Sequence, residues 1–258
     1  AGGMAALGGV MPRPLPTDAM GRMDPGAVED AVREDDPHVP HSRLVLVENS
    51  YGAKHGYPLP PEYLASIAAV ARRHGLALHM DGARLFNAAV AQNVDAAALT
   101  HHVDSVTFCL SKGLCAPVGS VLCGSADFIY RARRARKILG GGMRQAGILA
   151  AAGLIALNEM IERLADDHAH ARLLAEGLAR LPGVRVDVDK VRTNMVFFDL
   201  TDDVPLSSET VADRLRQTAG VWLGTNGPRG FRAVTHYWIG PKDVAVFLGG
   251  LENVLARA

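Results

Sequence analysis

Two side chains of opposite charge each follow directly after a buried strand pattern. The apolar run Leu76–Met80 predicts a strand that ends on Asp81, and Val103–Leu110 predicts a second strand that ends on Ser111 and Lys112. A helical segment joins them, so we expect the strands to be parallel with a right-handed crossover. Parallel strands bring their carboxyl ends to one edge of the sheet, where open α/β sheets bind ligands. The pattern therefore predicts a site that presents an amine and a carboxylate to the same ligand.

Each of these residues also has a simpler interpretation. A strand-end lysine such as Lys112 can form a Schiff base, but it can also bind a phosphate or cap a loop. An Asp before a Gly, as at Asp81, is usually a turn former. Because Lys112 lies between an apolar strand and a turn rich in Gly and Pro, we expect it not to be a solvated surface charge. Arg84, one helical turn after Asp81, favours the functional interpretation of all three.

The elements that would position these residues follow from patterns in the first half of the chain. Residues 1–21 are rich in Gly and Pro and predict a loop. Asp24 and Pro25 are typical of a helix start, and Gly75 is typical of a helix end. The remaining patterns predict a helix to about Glu34, a strand over Arg43–Glu48 and a helix over Glu62–His74.

The second half of the chain predicts a different arrangement. A basic helix, Ala126–Lys137, precedes three glycines, and a long helical region, Met143–Leu181, ends at Pro182. Short strands and helices then alternate, which indicates an α+β unit. The predicted strands are Val184–Val188, Asn194–Leu200, Val221–Leu223 and Arg232–Thr235, and the predicted helices are Ser207–Gln217 and Pro241–Ala256. We therefore predict a larger α/β domain over residues 1–160 and a smaller C-terminal α+β domain over residues 161–258.

Composition limits the class of protein. The chain has 258 residues, 48% of them hydrophobic, and a formal net charge of zero, which is typical of a soluble globular protein and argues against nucleic acid as a partner. The longest apolar run, Ala146–Leu157, is too short to span a membrane. We expect no signal peptide in the first residues. The three cysteines lack CxxC spacing and indicate reduced thiols in the cytoplasm.

Several motifs resemble those of a known enzyme family. HMDGARLFNAAVA, CLSKGL and GGGMRQAGILAAAG resemble motifs of the low-specificity threonine aldolases, and RMDP, LVLVEN, TNMVFFDL and FRAVTH extend the resemblance through nearly the whole chain. The resemblance implies the fold type I of enzymes that depend on pyridoxal 5'-phosphate. It also implies an incomplete, mostly parallel sheet in the large domain, an amino-acid substrate, and a homodimer or homotetramer with shared sites.

The resemblance assigns roles to four of the charged residues. Lys112 would form a Schiff base with the cofactor aldehyde, and Asp81 would face the pyridine nitrogen. Opposite charges about 4 Å apart at an effective dielectric constant near 20 gain roughly 4 kcal/mol, about three pK units, which keeps the ring protonated as an electron sink. Arg84 would reach the cofactor's phenolic oxygen and the substrate carboxylate. Arg232 would bind the same carboxylate from the small domain, because a guanidinium can hold a carboxylate with two hydrogen bonds.

Three further residues receive roles from the resemblance alone. Arg144 and Lys137 match family residues that lie near the cofactor phosphate across a subunit boundary, although Lys137 also fits a solvated basic helix face. His38, in DDPH, matches a histidine near the substrate hydroxyl and would remove its proton directly or through water. A loop histidine is, however, often structural. No spacing of the remaining histidines predicts a metal site.

The implied reaction is a retro-aldol cleavage of a β-hydroxy amino acid such as L-threonine or L-allo-threonine to glycine and an aldehyde. Two alternatives remain open from the sequence. The same fold and cofactor can support β-elimination, and the chain can be a truncated relative without activity.

The sequence departs from the family in three places. Family members begin well before Ala1, and the Gly-rich opening of this chain fits either an irregular arm or a fragment. ENSY at Glu48–Tyr51 stands where the family has ENTH. Cys115 stands where the family has a glycine, so a positive φ there would strain the turn beside Lys112.

Overall fold

The chain forms two four-stranded sheets, each with its own hydrophobic core, in a computed structural model that describes residues 2–53 and 55–257. The first sheet has the order β1-β2-β3-β4, and its strands are Leu44–Glu48, Ala77–Asp81, Ser105–Cys109 and Ser120–Gly124. The first three strands are parallel, as predicted, and β4 is antiparallel to β3. Asp81 lies opposite Glu48 on one side and Thr107 on the other, so the strand ends meet at one edge.

In the described chain, seven α-helices lie between Gly3 and Glu159. They are α1 (Gly3–Ala6), α2 (Pro25–Asp30), α3 (Pro61–Arg73), α4 (Leu85–Gln92), α5 (Ala96–Thr100), α6 (Ala126–Ile138) and α7 (Gly147–Glu159). Asp24 caps α2 through a side-chain bond to the Ala27 N–H, as its position before Pro25 predicts. The apolar stripe of α3 packs into the first core through Leu64 and Ile67, both fully buried.

The second sheet is antiparallel throughout and has the order β5-β6-β8-β7. Its strands are Val184–Val186, Met195–Leu200, Gly224–Asn226 (β7) and Gly230–Val234 (β8). Three helices pack with it: α8 (Leu164–Leu178), α9 (Ser208–Ala219) and α10 (Pro241–Leu255). The rings of Phe198 and Phe231 stack at the centre of this core, with centroids 4.8 Å apart. The arrangement is the α+β type that the alternation of short elements predicts, while the domain boundary at residue 160 stays a prediction.

Three sequence-based assignments of elements are wrong. The helical region Met143–Leu181 is two helices, because the chain turns at Met160–Arg163 and thereby packs Leu164 into the first core. The strand predicted over Val221–Leu223 is displaced to Gly224–Asn226, since Val221 and Leu223 pack on the second core from the connection that follows α9. The predicted N-terminal loop contains the short helix α1. No helix of the described chain combines the length and apolarity that crossing a membrane requires.

Candidate active site

Asp81 lies at the last position of β2 and is half-buried. Its Oδ1 accepts a hydrogen bond of 3.0 Å from the backbone N–H of Ala83, so the turn after the strand fixes this carboxylate. The bond to Ala83 is the turn-forming role expected of an Asp before Gly. The other carboxylate oxygen is not used by this turn, so the local role does not exclude a functional one.

Glu48 is a second strand-end carboxylate at this edge, and the sequence analysis gave it no role. It ends β1 opposite Asp81, and its Oε1 accepts a 3.1 Å hydrogen bond from the N–H of Gly52. Burial raises the pKa of the Glu48 carboxyl, Asp81 raises it further, and the Gly52 N–H, Arg84 and Lys112 lower it. The Glu48 carboxyl therefore interacts with three charged side chains at this edge of the sheet, those of Asp81, Arg84 and Lys112. The sequence contains a pattern that would have indicated Glu48, because the apolar strand LVLVE ends on a carboxylate as LALHMD does.

Lys112 lies in the loop between β3 and β4. Its carbonyl accepts a 3.0 Å hydrogen bond from the N–H of Cys115, while Gly113 and Leu114 turn inward and are buried. The Lys112 side chain is exposed, so the expectation that it is not a solvated charge is wrong: the loop buries its apolar residues and leaves the amine outside. Among the described residues this amine has no hydrogen-bond or ion-pair partner.

Cys115 has a φ of +60°, which confirms the predicted strain in the turn beside Lys112. A side chain in the left-handed region costs on the order of 1–3 kcal/mol at such a position. Burial raises the pKa of the Cys115 thiol more than the Arg163 charge and the Tyr237 backbone N–H lower it. The thiol is therefore held as the neutral, unreactive form.

Arg84, the N-cap residue of α4, and Arg232, in β8, come from different parts of the fold, and their charges interact. The Nε atoms of both are buried without an acceptor in the described residues. Burial lowers the pKa of the Arg84 guanidinium, and the positive charge of Arg232 lowers it further, whereas Glu48 and Cys109 raise it. Arg232 lies opposite Phe197 in the sheet, and its Nη2 contacts the Met195 sulfur at 3.3 Å. Two guanidiniums that repel each other, each with an Nε donor that has no acceptor among the described residues, are well suited to binding an anion between them.

The other three predicted site residues have different neighbours in the described chain. His38 is exposed, and its Nδ1 lies 2.7 Å from Asp36 Oδ1. Lys137 Nζ donates to the carbonyl of Gly142 at 3.4 Å, and Arg144 is exposed at the start of the segment that leads to α7. The structure thus brings together Asp81, Arg84, Lys112 and Arg232, whereas the roles of His38, Lys137 and Arg144 stay predictions.

The Lys112 loop packs against Asn87, whose side chain is hydrogen-bonded to His168. The Nδ2 of Asn87 donates to Nε2 of His168 at 3.0 Å, and an added Cβ on Gly113 would come within 3.4 Å of Asn87 Oδ1. Burial lowers the pKa of His168 to about 4, although Asp167 opposes the shift. A neutral imidazole is also what the contact requires, because Nε2 must accept the amide hydrogen bond.

We expect His168→Gln to flatten the pH dependence of stability. The ordinary pKa of His is 6.5 and that of folded His168 is about 4, so only the unfolded chain takes up this proton as the pH falls through that interval. The wild-type protein should lose up to about 3 kcal/mol of unfolding free energy between these two values, and the variant should lose less, because Gln keeps an acceptor for Asn87. Urea unfolding from pH 7 to pH 4 measures the difference. Parallel curves for the two proteins would contradict the assignment.

Comparison with known proteins places the chain in a family. The model of the beta-eliminating lyase family matches residues 1–201. A probable low-specificity L-threonine aldolase 2 of Arabidopsis thaliana is 44% identical over 255 residues, which are 98% of this chain and 72% of that protein. The low specificity L-threonine aldolase of Escherichia coli K12 is 45% identical over 197 residues, 76% of this chain and 57% of that protein. The chain belongs to the low-specificity L-threonine aldolase family.

Solved structures agree with the fold of this aldolase-family protein. A Listeria monocytogenes protein provisionally assigned as an L-allo-threonine aldolase superposes with a TM-score of 0.79 at 24% identity, over 98% of this chain and 70% of that one. The threonine aldolase of Leishmania major gives a TM-score of 0.74 at 21% identity, over 92% and 68%. These structures confirm fold type I, whereas the family model and the relatives with 44–45% identity confirm the family and the enzyme class, a pyridoxal-phosphate-dependent lyase.

The described residues fit the ring nitrogen and the aldehyde of pyridoxal phosphate. Lys112 offers an exposed amine without a partner, Asp81 keeps one carboxylate oxygen out of its turn, and both act on Glu48 from the same edge. Arg84 and Arg232 retain buried donors for an anion.

Proposed function

We propose that this protein is an aldolase that uses pyridoxal 5'-phosphate to cleave L-threonine and L-allo-threonine to glycine and acetaldehyde. The observation that carries the proposal is that Arg84 and Arg232 each hold a buried Nε donor without an acceptor among the described residues, at the sheet edge that also presents the carboxylate of Asp81 and the exposed amine of Lys112. The names of the Arabidopsis and E. coli relatives support the same substrate class.

In this proposal Lys112 holds the cofactor aldehyde through a Schiff base, and Asp81 faces the pyridine nitrogen and keeps it protonated. When bound, the cofactor supplies an electron sink for the negative charge that develops at the substrate Cα. Lys112 would also have to release the aldehyde to the substrate amine, and the absence of a partner for Lys112 among the described residues supports that role.

Arg84 and Arg232 bind the substrate carboxylate. A carboxylate held by two guanidiniums would fix the orientation of the amino acid, and that orientation would select which bond at Cα breaks. We propose His38 as the group that takes the hydroxyl proton, directly or through water, with Asp36 holding its ring at Nδ1.

The remaining assignments concern the assembly. We propose that Arg144 and Lys137 reach the cofactor phosphate of a partner subunit, in a homodimer or homotetramer. Both are exposed in the single chain, which supports a role outside it. We also propose a cytoplasmic location, where Cys109, Cys115 and Cys123 stay free thiols.

β-Elimination is the second candidate, because the matching family model describes beta-eliminating lyases. Incubating the cofactor-loaded protein with L-threonine or L-allo-threonine, and separately with L-cysteine, distinguishes the two reactions. Glycine with acetaldehyde supports the aldolase. Pyruvate with ammonia, formed from L-cysteine or another substrate with a leaving group at Cβ, supports elimination. Failure of borohydride to trap a pyridoxal adduct at Lys112 would support the inactive relative instead.

A further inference from the structure

The first turn of α8 contacts both elements that carry the proposed site. On one side, a Cβ added to Gly113, the residue after Lys112, would come within 2.6 Å of Leu164 Cδ2. On the same side the Cys115 thiol interacts with the charges of Arg163 and Asp167. The base of the Lys112 loop therefore rests on the start of this helix.

On its other side, the first turn of α8 contacts the segment that follows Arg232. The carbonyl of Asp167 accepts a 2.6 Å hydrogen bond from the Thr235 hydroxyl, and the Arg163 guanidinium lies 4.9 Å from the centroid of the Tyr237 ring. Asn194 fixes Thr235 as well, because its Nδ2 donates to the Thr235 carbonyl at 2.9 Å. Thr235 is buried, so the end of β8 is anchored on α8.

Arg163 and Asp167 form an ion pair across these contacts. Arg163 Nη2 donates to Asp167 Oδ1, and the Asp167 side chain is fully buried. The second oxygen of Asp167 and the Nε of Arg163 have no partner within the described chain. A buried ion pair with polar atoms that lack hydrogen-bond partners contributes little to the free energy of unfolding, because the desolvation cost of the two charges can exceed their attraction.

We propose that Arg163 and Asp167 are positioning residues, which set the separation between Lys112 and Arg232 and thereby fit the site to an amino acid. The inference rests on the proposed function, because that function places the aldehyde-binding and carboxylate-binding ends of the site on these two elements. Neither residue touches the substrate. Their effect is therefore on the binding of an amino acid, not on the reactivity of the lysine.

The test is the double variant Arg163→Met/Asp167→Leu in the full chain. Single substitutions leave an uncompensated buried charge and can prevent folding, whereas replacing both partners by apolar residues often preserves stability. The matched control is Arg172→Met/Glu176→Leu, which removes an exposed pair at the same spacing on the same helix. Arg163→Lys, which keeps the charge, is the conservative variant.

Two measurements separate the possible outcomes: borohydride trapping of pyridoxal phosphate at Lys112, and the dissociation constant for glycine from the visible spectrum of the loaded protein. We expect unchanged trapping in all variants. Glycine binding should weaken about tenfold to a hundredfold in Arg163→Met/Asp167→Leu, less in Arg163→Lys, and not at all in the Arg172→Met/Glu176→Leu control. Unchanged glycine binding, or an equal loss of binding and trapping, would overturn the positioning role. Failure of the wild-type protein to trap the cofactor would overturn the proposed function itself.

Discussion

Replacing Lys112 with alanine is expected to abolish the trapping of pyridoxal phosphate and to lower kcat for threonine cleavage by about a thousandfold or more. The amine at this position is exposed and has no partner among the described residues, so its loss should leave the rest of the structure unchanged. The free energy of unfolding should therefore stay within about 0.5 kcal/mol of the wild-type value. The measurement is mass spectrometry of the borohydride-reduced protein together with an acetaldehyde assay.

Two control variants sharpen this experiment. Lys112→Arg keeps the positive charge that acts on Glu48 but cannot form a Schiff base, so it should be as inactive as the alanine variant. Lys190→Ala removes an exposed lysine that pairs with Asp187 at 3.0 Å, and it should leave activity unchanged. A reduced adduct that persists on another lysine in Lys112→Ala would show that the sheet edge is not the aldehyde-binding site.

The second large effect is expected at Arg232, where activity and stability should change in opposite directions. Arg232→Met should lower kcat/KM by about a thousandfold, since two charge-assisted hydrogen bonds to the substrate carboxylate, of about 2 kcal/mol each, are lost. The free energy of unfolding should be unchanged or higher, because the substitution removes a charge that repels Arg84 and a buried donor without an acceptor. Steady-state kinetics and urea unfolding measure the two quantities.

Arg185→Met is the matched control for this variant. Arg185 lies in the same sheet and is exposed, and it reaches Asp199 only at 3.9 Å, so its loss should affect neither quantity. A marked loss of stability in Arg232→Met, with kcat/KM unchanged, would mean that Arg232 is a structural residue of the second core.

The parts of the site that depend on one strand and its end could be predicted from the sequence. Asp81 and Lys112 directly follow apolar runs, and parallel pairing brings those ends to one edge. Glu48 also ends an apolar strand, β1, and could have been predicted for this edge in the same way. The approach of Arg232 to Arg84 could not be derived in this way, because it depends on how the second sheet packs beside the first.

The turn at Met160–Arg163 shows why the remaining errors arose. Apolar periodicity continues through this segment, so local sequence favours one helix, whereas burial of Leu164 in the first core requires a change of direction. Tertiary packing decided the outcome. The displacement of β7 has the same origin, since Val221 and Leu223 are apolar because they cover a core and not because they pair in a sheet.

Helix α8 belongs to both cores, with Leu164 in the first and Leu174 and Leu178 in the second. Because α8 is one continuous helix, a rotation of one core relative to the other would be transmitted through it. A movement of the second sheet relative to the first would therefore also displace Leu164, which packs against Gly113. A displacement at the proposed carboxylate-binding end would thereby also change the position of Lys112, the proposed Schiff-base lysine.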